Sequence, residues 1–164
     1  MAKKPSFVGT LNAIANGERF GHALFEAWAG ATRDKALKPT LEMVAVREME
    51  HSWAFAKRLN ELGFDVQPAE QAPPKKLLKL MRSDAPDMDK FAAFGIGAPG
   101  TSSGGEDNLL RLLADKSIDP QTGALLGRFI CEERDSGEAL TKAYRAARRR
   151  ANKGKPSSKG GKPK

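Results

Sequence analysis

Apolar residues recur along most of this chain with the period of an α-helix, not that of a strand. From about Phe7 to Thr32 the stripe Leu11, Ile14, Ala15, Phe25, Trp28 and Ala29 marks one face of a first helix. Residues 34–40 carry Pro39 and read as a short turn, so the next helix is expected to run antiparallel to the first. The second helix spans Pro39 or Thr40 to Leu62, with Gly63 as its stop signal. Its stripe of Leu41, Ala45, Glu48, Ser52, Phe55, Leu59 and Leu62 advances in alternating steps of four and three.

The pattern then breaks. Residues 65–75 include Pro68, Pro73 and Pro74 and read as a linker. Two short helical pieces follow, around Lys75 to Met81 and Met88 to Phe94, and then a Gly/Ser/Pro loop from Gly95 to Gly105. A short third helix is expected from Glu106 to Lys116. Asp119-Pro120 caps a long final helix from about Gln121 to Arg150, with Leu125, Leu126, Phe129, Glu133, Leu140 and Tyr144 on its inner side. Neither an internal repeat nor a strand run is present. The expectation is an all-α bundle over residues 1–148, followed by a basic tail, 149–164.

Acidic residues normally avoid the apolar face of an amphipathic helix. Three helices here each place one in the middle of that face. Glu18 lies between Ile14 and Phe25, with His22 one turn later on the same side. Glu48 sits in the seam between Ala45 and Phe55, and Glu133 is flanked by Phe129 and Leu140. Glu106 shares a face with Leu109, Leu110 and Leu113 and is a fourth candidate, although capping of its own helix explains it equally well.

Isolated buried carboxylates cost several kcal/mol, and neighbouring ones repel each other. Protonation, pairing with buried arginines and cation binding are the three ways out. Carboxylates together with imidazole suit iron or manganese better than copper or calcium. Glu48-Met49-Glu50-His51 adds a Glu-x-x-His spacing, which puts both ligand types on one helix face.

Residues 44–51 (Val-Ala-Val-Arg-Glu-Met-Glu-His), followed by Phe55-Ala56-Lys57-Arg58-Leu59 and Leu62-Gly63, resemble the second helix of rubrerythrin-type ferritin-like proteins. Glu18 lies where that family's first-helix glutamate falls. The resemblance covers residues 7–62 and, more loosely, 120–148. It implies a ferritin-like antiparallel four-helix bundle, here with a short third helix and an irregular middle segment. The ligands it implies are Glu18, Glu48, His51 and Glu133, with Glu106 as a further carboxylate; the metal is iron, as one ion or two, or manganese. The final helix departs from the pattern: Ser136 stands where a second histidine would be. His22, the only other histidine, is the candidate to replace it.

Beside this reading stands a plainer one, in which the three glutamates form a buried ion-pair network with Arg19, Arg47 or Arg134, or line a lapsed site. Two further stripes are ambiguous between core and dimer surface, with core preferred: Val46, Met49 and Trp53 on the second helix, and Phe20, Leu24, Ala27 and Ala31 on the first. Tyr144 is expected to pack with its hydroxyl bonded. Gly95-Ile96-Gly97 follows no strand and lacks the Gly-Lys-Ser/Thr ending of a phosphate loop.

Composition and charge narrow the picture. Hydrophobic residues make up 40% and charged residues 29%, an ordinary globular balance for 164 residues. No run approaches the roughly 18 apolar residues of a membrane span, and no secretory leader is evident, so a cytoplasmic protein is expected. Cys131 is the single cysteine, which leaves no internal disulfide, zinc ribbon or CxxC pair. A redox cycle would therefore draw on an external electron donor. The net charge of +8 belongs to residues 148–164, which hold eight basic residues and no acid; the rest carries 20 of each sign. Such a tail is expected to be disordered. It either solubilises the protein or binds nucleic acid loosely by counterion release, and it has no aromatic residue to stack on bases.

Two functions follow as expectations. One is a metal-binding protein for oxygen or peroxide chemistry or iron handling. The other is a metal-free helical interaction module whose tail binds nucleic acid non-specifically.

Overall fold

In the computed structural model, described for residues 5–69, 74–97 and 108–153, the protein is an all-helical bundle with no strand among those residues. Three long helices dominate: α1 (Val8–Ala31), α2 (Lys38–Glu61) and α5 (Pro120–Lys153). Two short ones, α3 (Lys75–Arg82) and α4 (Asp87–Ala93), and a 3₁₀ segment (Asn108–Leu113) lie between α2 and α5. The expected third helix is thus a 3₁₀ turn over its described part, and Glu106 falls outside the described residues. Helix α5 continues through Lys153, past the boundary expected for the tail.

Cross-helix contacts fix the directions. Ser52 bonds the Ala15 carbonyl, and His22 reaches the Ala45 carbonyl, so α1 and α2 run antiparallel. Arg58 reaches Asp119 and Thr122 while Arg47 reaches Ser136, so α5 runs antiparallel to α2. Helix α3 packs on α1, and α4 and the 3₁₀ segment pack on α5.

The helix ends show why the chain turns where it does. Gly63 has φ 83°, and the Phe64 and Gly63 amides return to the Leu59 and Asn60 carbonyls, a paired closure that a residue without Cβ favours. Gly95 (φ 71°) ends α4 in the same way, with Ile96 and Gly95 bonding back to Phe91 and Ala92. That is the structural job of the glycines near residue 95. At the start of α5, Asp119 accepts the Thr122 amide at 3.0 Å and its hydroxyl at 2.6 Å, while Pro120 takes the first helical position. The nearly buried Arg58 donates to Asp119 at 2.9 Å and to Thr122 at 2.9 Å, tying the end of α2 to this cap.

The residues expected to form a plain linker are tied down. Asn12 accepts the Gln67 amide at 2.8 Å, and Asn16 donates to the Gln67 carbonyl at 2.9 Å, so this connection lies against α1. In the α3–α4 corner, Lys90 is buried and donates to the Met81 and Ser83 carbonyls at 3.1 and 2.8 Å. Asp87 accepts from Trp28 Nε1 at 2.6 Å and Thr32 Oγ1 at 2.7 Å, which pins α4 to the end of α1.

The two ambiguous stripes have different fates. On α1, Leu24 is buried, and Phe20 and Ala27 pack with it beneath α3 and α4. On α2 the preference for core fails: Trp53 is 63% exposed and Val46 57% exposed. No described element lies over that side, because α3 and α4 cross α1 and α5 instead.

Candidate metal centre

The core is divided. One cluster, towards the α1–α2 turn, holds Leu24, Phe25, Trp28, Leu41, Val44, Met81, Phe91 and Leu140. The other, at the opposite end, holds Phe7, Val8, Leu11, Ala15, Phe55, Leu59, Leu126 and Phe129. Between them each long helix contributes its polar residues: Glu18 from α1, Glu48, His51 and Ser52 from α2, and Glu132, Glu133 and Ser136 from α5. This mid-bundle layer is what the acids on the apolar stripes become once the three stripes face each other.

His51 is its hub, with a side chain only 5% exposed. Its Nδ1 lies 3.1 Å from Glu18 Oε2 and 3.6 Å from Glu133 Oε1. Its Nε2 lies 2.8 Å from Glu132 Oε2. One donor atom from each of Glu18, His51 and Glu133 falls within 4.8 Å of the other two. Burial alone would push the imidazole down, but hydrogen bonds to Glu18 and Glu132 hold it above its ordinary value. Without a metal, a proton on each nitrogen satisfies both flanking carboxylates.

Glu48 completes the acidic side. Its carboxyl is pressed against the backbone of α1 at Gly21, where a Cβ would stand 1.9 Å from Oε2. Burial first, then the charges of Glu18 and Glu133 and a hydrogen bond with Glu18, push Glu48 up to about 9. Burial and the Glu18 charge push Glu133 up to about 7, against the opposing pull of His51 and Arg47. Both shifts have the same causes in the same order: burial first, then the repulsion of neighbouring carboxylates.

Two arginines edge the layer. Arg128 donates from Nε to Glu132 Oε1 at 2.9 Å. Burial alone would raise Glu132, but the bonds from His51 and Arg128 outweigh it and hold this carboxyl below its ordinary value. Arg47 crosses the α2–α5 seam, donating to the buried Ser136 hydroxyl at 3.2 Å and approaching the Glu132 carbonyl at 3.5 Å. A cavity of about 190 Å³ opens between α2 and α5 on the Nε2 side of His51, lined in part by Glu50, Trp53, Leu125, Phe129 and Glu132.

Of the residues singled out in the sequence, Glu18, Glu48, His51 and Glu133 meet in this layer. His22 does not join them: its Nδ1 is 2.8 Å from the Ala45 carbonyl and its Nε2 faces Glu26 at 3.8 Å. The helical turn that separates it from Glu18 carries it about 6 Å along α1, out of the layer and level with Ala45. Of the three arginines considered as ion-pair partners, Arg47 reaches the layer, while Arg19 and Arg134 are exposed. Tyr144 packs edge-on to Phe91 at 5.4 Å, and a Cβ on Gly97 would meet its ring, so it belongs to the apolar cluster beyond the layer.

Sequence reasoning missed Glu132, Arg128 and Gly21. Arg128 and Glu132 are four apart on α5, a spacing that signals an ion pair. Nothing along the chain tells that this pair ends on His51. Glycine at residue 21, inside a helix and opposite the Glu48 turn, carries only the weak signal that a small residue admits something bulky.

The donor set suits iron or manganese. Glu132 stands in the outer position that orients a ligating imidazole through its second nitrogen. No protein-family model matches the chain, and no curated protein or solved structure matches it significantly.

Proposed function

We propose that this chain is a ferritin-like metal-binding protein that holds iron, with manganese as the alternative cation, in its mid-bundle polar layer. Glu18, Glu133 and Nδ1 of His51 would hold the cation, with Glu48 beside them as a further carboxylate. One observation carries the reading: three helices bring Glu18, His51 and Glu133 donor atoms within 4.8 Å of one another in a layer closed above and below by apolar clusters. A cation would relieve the carboxylate repulsion that adds to burial in raising Glu48 and Glu133. Bound iron would serve as a redox centre for oxygen or peroxide, or as stored or transferred metal. The chain's own part is to orient His51 through Glu132 and to hold or release the proton on Glu48. A redox cycle draws on an external electron donor.

The test is metal content. The protein is loaded with ferrous iron, desalted and assayed by mass spectrometry. Stoichiometric iron that is lost in Glu48→Ala supports the reading; less than a tenth of an iron per chain, unchanged in that variant, sinks it.

A second reading is favoured by the charge pairing itself. A doubly protonated His51 between Glu18 and Glu132, with Arg47 and Arg128 beside it, compensates much of the layer internally. In that case the protein is a metal-free helical module, and its basic end, from Arg148 onward, binds nucleic acid without sequence preference. Salt-sensitive binding to DNA or RNA that disappears on deleting residues 148–164 is then expected. Equal binding by the truncated chain would refute it.

A further inference from the structure

We propose that the centre takes one divalent cation, not two, because the Arg47 guanidinium occupies the place and supplies the charge of a second. This rests on the metal-binding reading above and adds a count to it.

The two facing helices are asymmetric. On α2 the Glu-x-x-His spacing is complete, with Glu48 and His51 both in the layer. On α5 the equivalent spacing ends in Ser136 after Glu133. A two-ion centre built from facing helices uses that position for the second imidazole. Here Ser136 is buried, and its hydroxyl receives Arg47 Nη1 at 3.2 Å. The same nitrogen stands 3.5 Å from the Glu132 carbonyl, so the guanidinium meets two acceptors one turn apart on α5. Its charge acts on Glu133, the carboxylate the second ion would need.

A guanidinium stays protonated under all ordinary conditions, so this charge is permanent. The layer's Glu18, Glu48 and Glu133 carry three negative charges when ionised. One divalent cation and Arg47 balance them with His51 neutral. Two divalent cations and Arg47 leave an excess of two positive charges. A divalent ion about 5 Å from the guanidinium, at an effective dielectric near 20, would be disfavoured by roughly 10⁴-fold or more. Glu132 does not change the balance, because Arg128 already neutralises it.

The experiment titrates manganese into the full-length protein, with metal counted by mass spectrometry and nuclearity read by electron paramagnetic resonance. One equivalent with the six-line spectrum of an isolated ion is expected. Two equivalents with an exchange-coupled spectrum would overturn the proposal while leaving the metal-binding reading intact. No bound metal would overturn both. The combined variant Arg47→Met with Ser136→His should take up a second equivalent, whereas Arg47→Lys should stay at one. A folded double variant that still binds one ion shows that Arg47 is not what excludes the second, and the proposal fails. Should the double variant not fold, Arg47→Gln decides: binding of the single ion tightened by about tenfold supports the charge argument, and unchanged affinity overturns it.

Discussion

The carboxyl of Glu48 lies against the backbone of Gly21, so close that a Cβ at residue 21 would stand 1.9 Å from Oε2. The small residue in the middle of α1 therefore makes the room in which the layer's most perturbed acid is kept. Glycine inside a helix costs about 1 kcal/mol relative to alanine, so Gly21→Ala improves helix propensity. Its only steric conflict is with the end of a flexible side chain, which swings away. The expected variant folds with unchanged or slightly raised thermal stability but binds metal about tenfold more weakly, because Glu48, the third carboxylate of the ligand set, is displaced. Thermal unfolding beside a chelator-competition assay checks both halves.

Glu48→Gln should separate function from stability. Burial keeps Glu48 protonated up to about pH 9, whereas in an unfolded chain it ionises near about pH 4.3. Between those values the folded state binds more protons, so the metal-free protein loses stability as pH rises through the window. Glutamine imitates the protonated acid and is free of this loss. With chelator present, urea unfolding should show a gain of about 1–3 kcal/mol at pH 8 and none at pH 4. Metal binding should be lost in the same variant.

Glu132→Gln addresses the orientation of His51. The carboxylate that accepts Nε2–H at 2.8 Å becomes an amide held less firmly by Arg128. Outer-sphere substitutions of this kind weaken metal binding by about 10–100-fold. Nitrogen NMR of the metal-free protein should show the Nε2 proton of His51 less firmly retained, a readout that a merely structural role would leave alone.

Asp119 gives a prediction for acid stability. Its bonds to the Thr122 hydroxyl and amide, and then to Arg58, hold its carboxyl far below the ordinary range. Asp119→Ala removes the α5 cap and leaves the nearly buried Arg58 without one of its partners. A loss of about 2 kcal/mol is expected, at the upper end for a helix cap. Because the folded value is depressed, the contribution is complete above about pH 3.9 and fades as pH falls through the folded value. The difference between wild type and variant should therefore shrink in strong acid.

The two tryptophans should behave oppositely. Trp28 is fully buried and bonded to Asp87, while Trp53 is mostly exposed. Trp28→Ala should cost about 3–5 kcal/mol, and Trp53→Ala should stay within about 0.5 kcal/mol. The blue-shifted part of the fluorescence should vanish with the first substitution only.

Much of this architecture was legible along the chain because it depends on near neighbours. Stripes such as Leu41, Ala45, Phe55 and Leu59 announce a helix from local spacing, and Gly63 and Asp119-Pro120 mark ends through backbone geometry and capping. Glu18, Glu48 and Glu133 stood out because an acid on an apolar stripe violates a local rule. What escaped was decided across helices. The Trp53 stripe has the same periodicity as the Leu24 stripe, and only the path of α3 and α4 covers one and leaves the other bare. His22 shares a helix face with Glu18, yet one turn along the axis sets it against the Ala45 carbonyl instead.

The amino-acid order alone thus determined three long amphipathic helices, most of their ends, and that each carries an acid on its apolar face, since these follow from periodicity and short-range bonding. Only the tertiary structure decided which side chains meet. It joined Glu132 to His51, set Arg47 on Ser136 and seated Glu48 against Gly21, because contacts between distant segments depend on the crossing and rotation of packed helices, which no local spacing encodes.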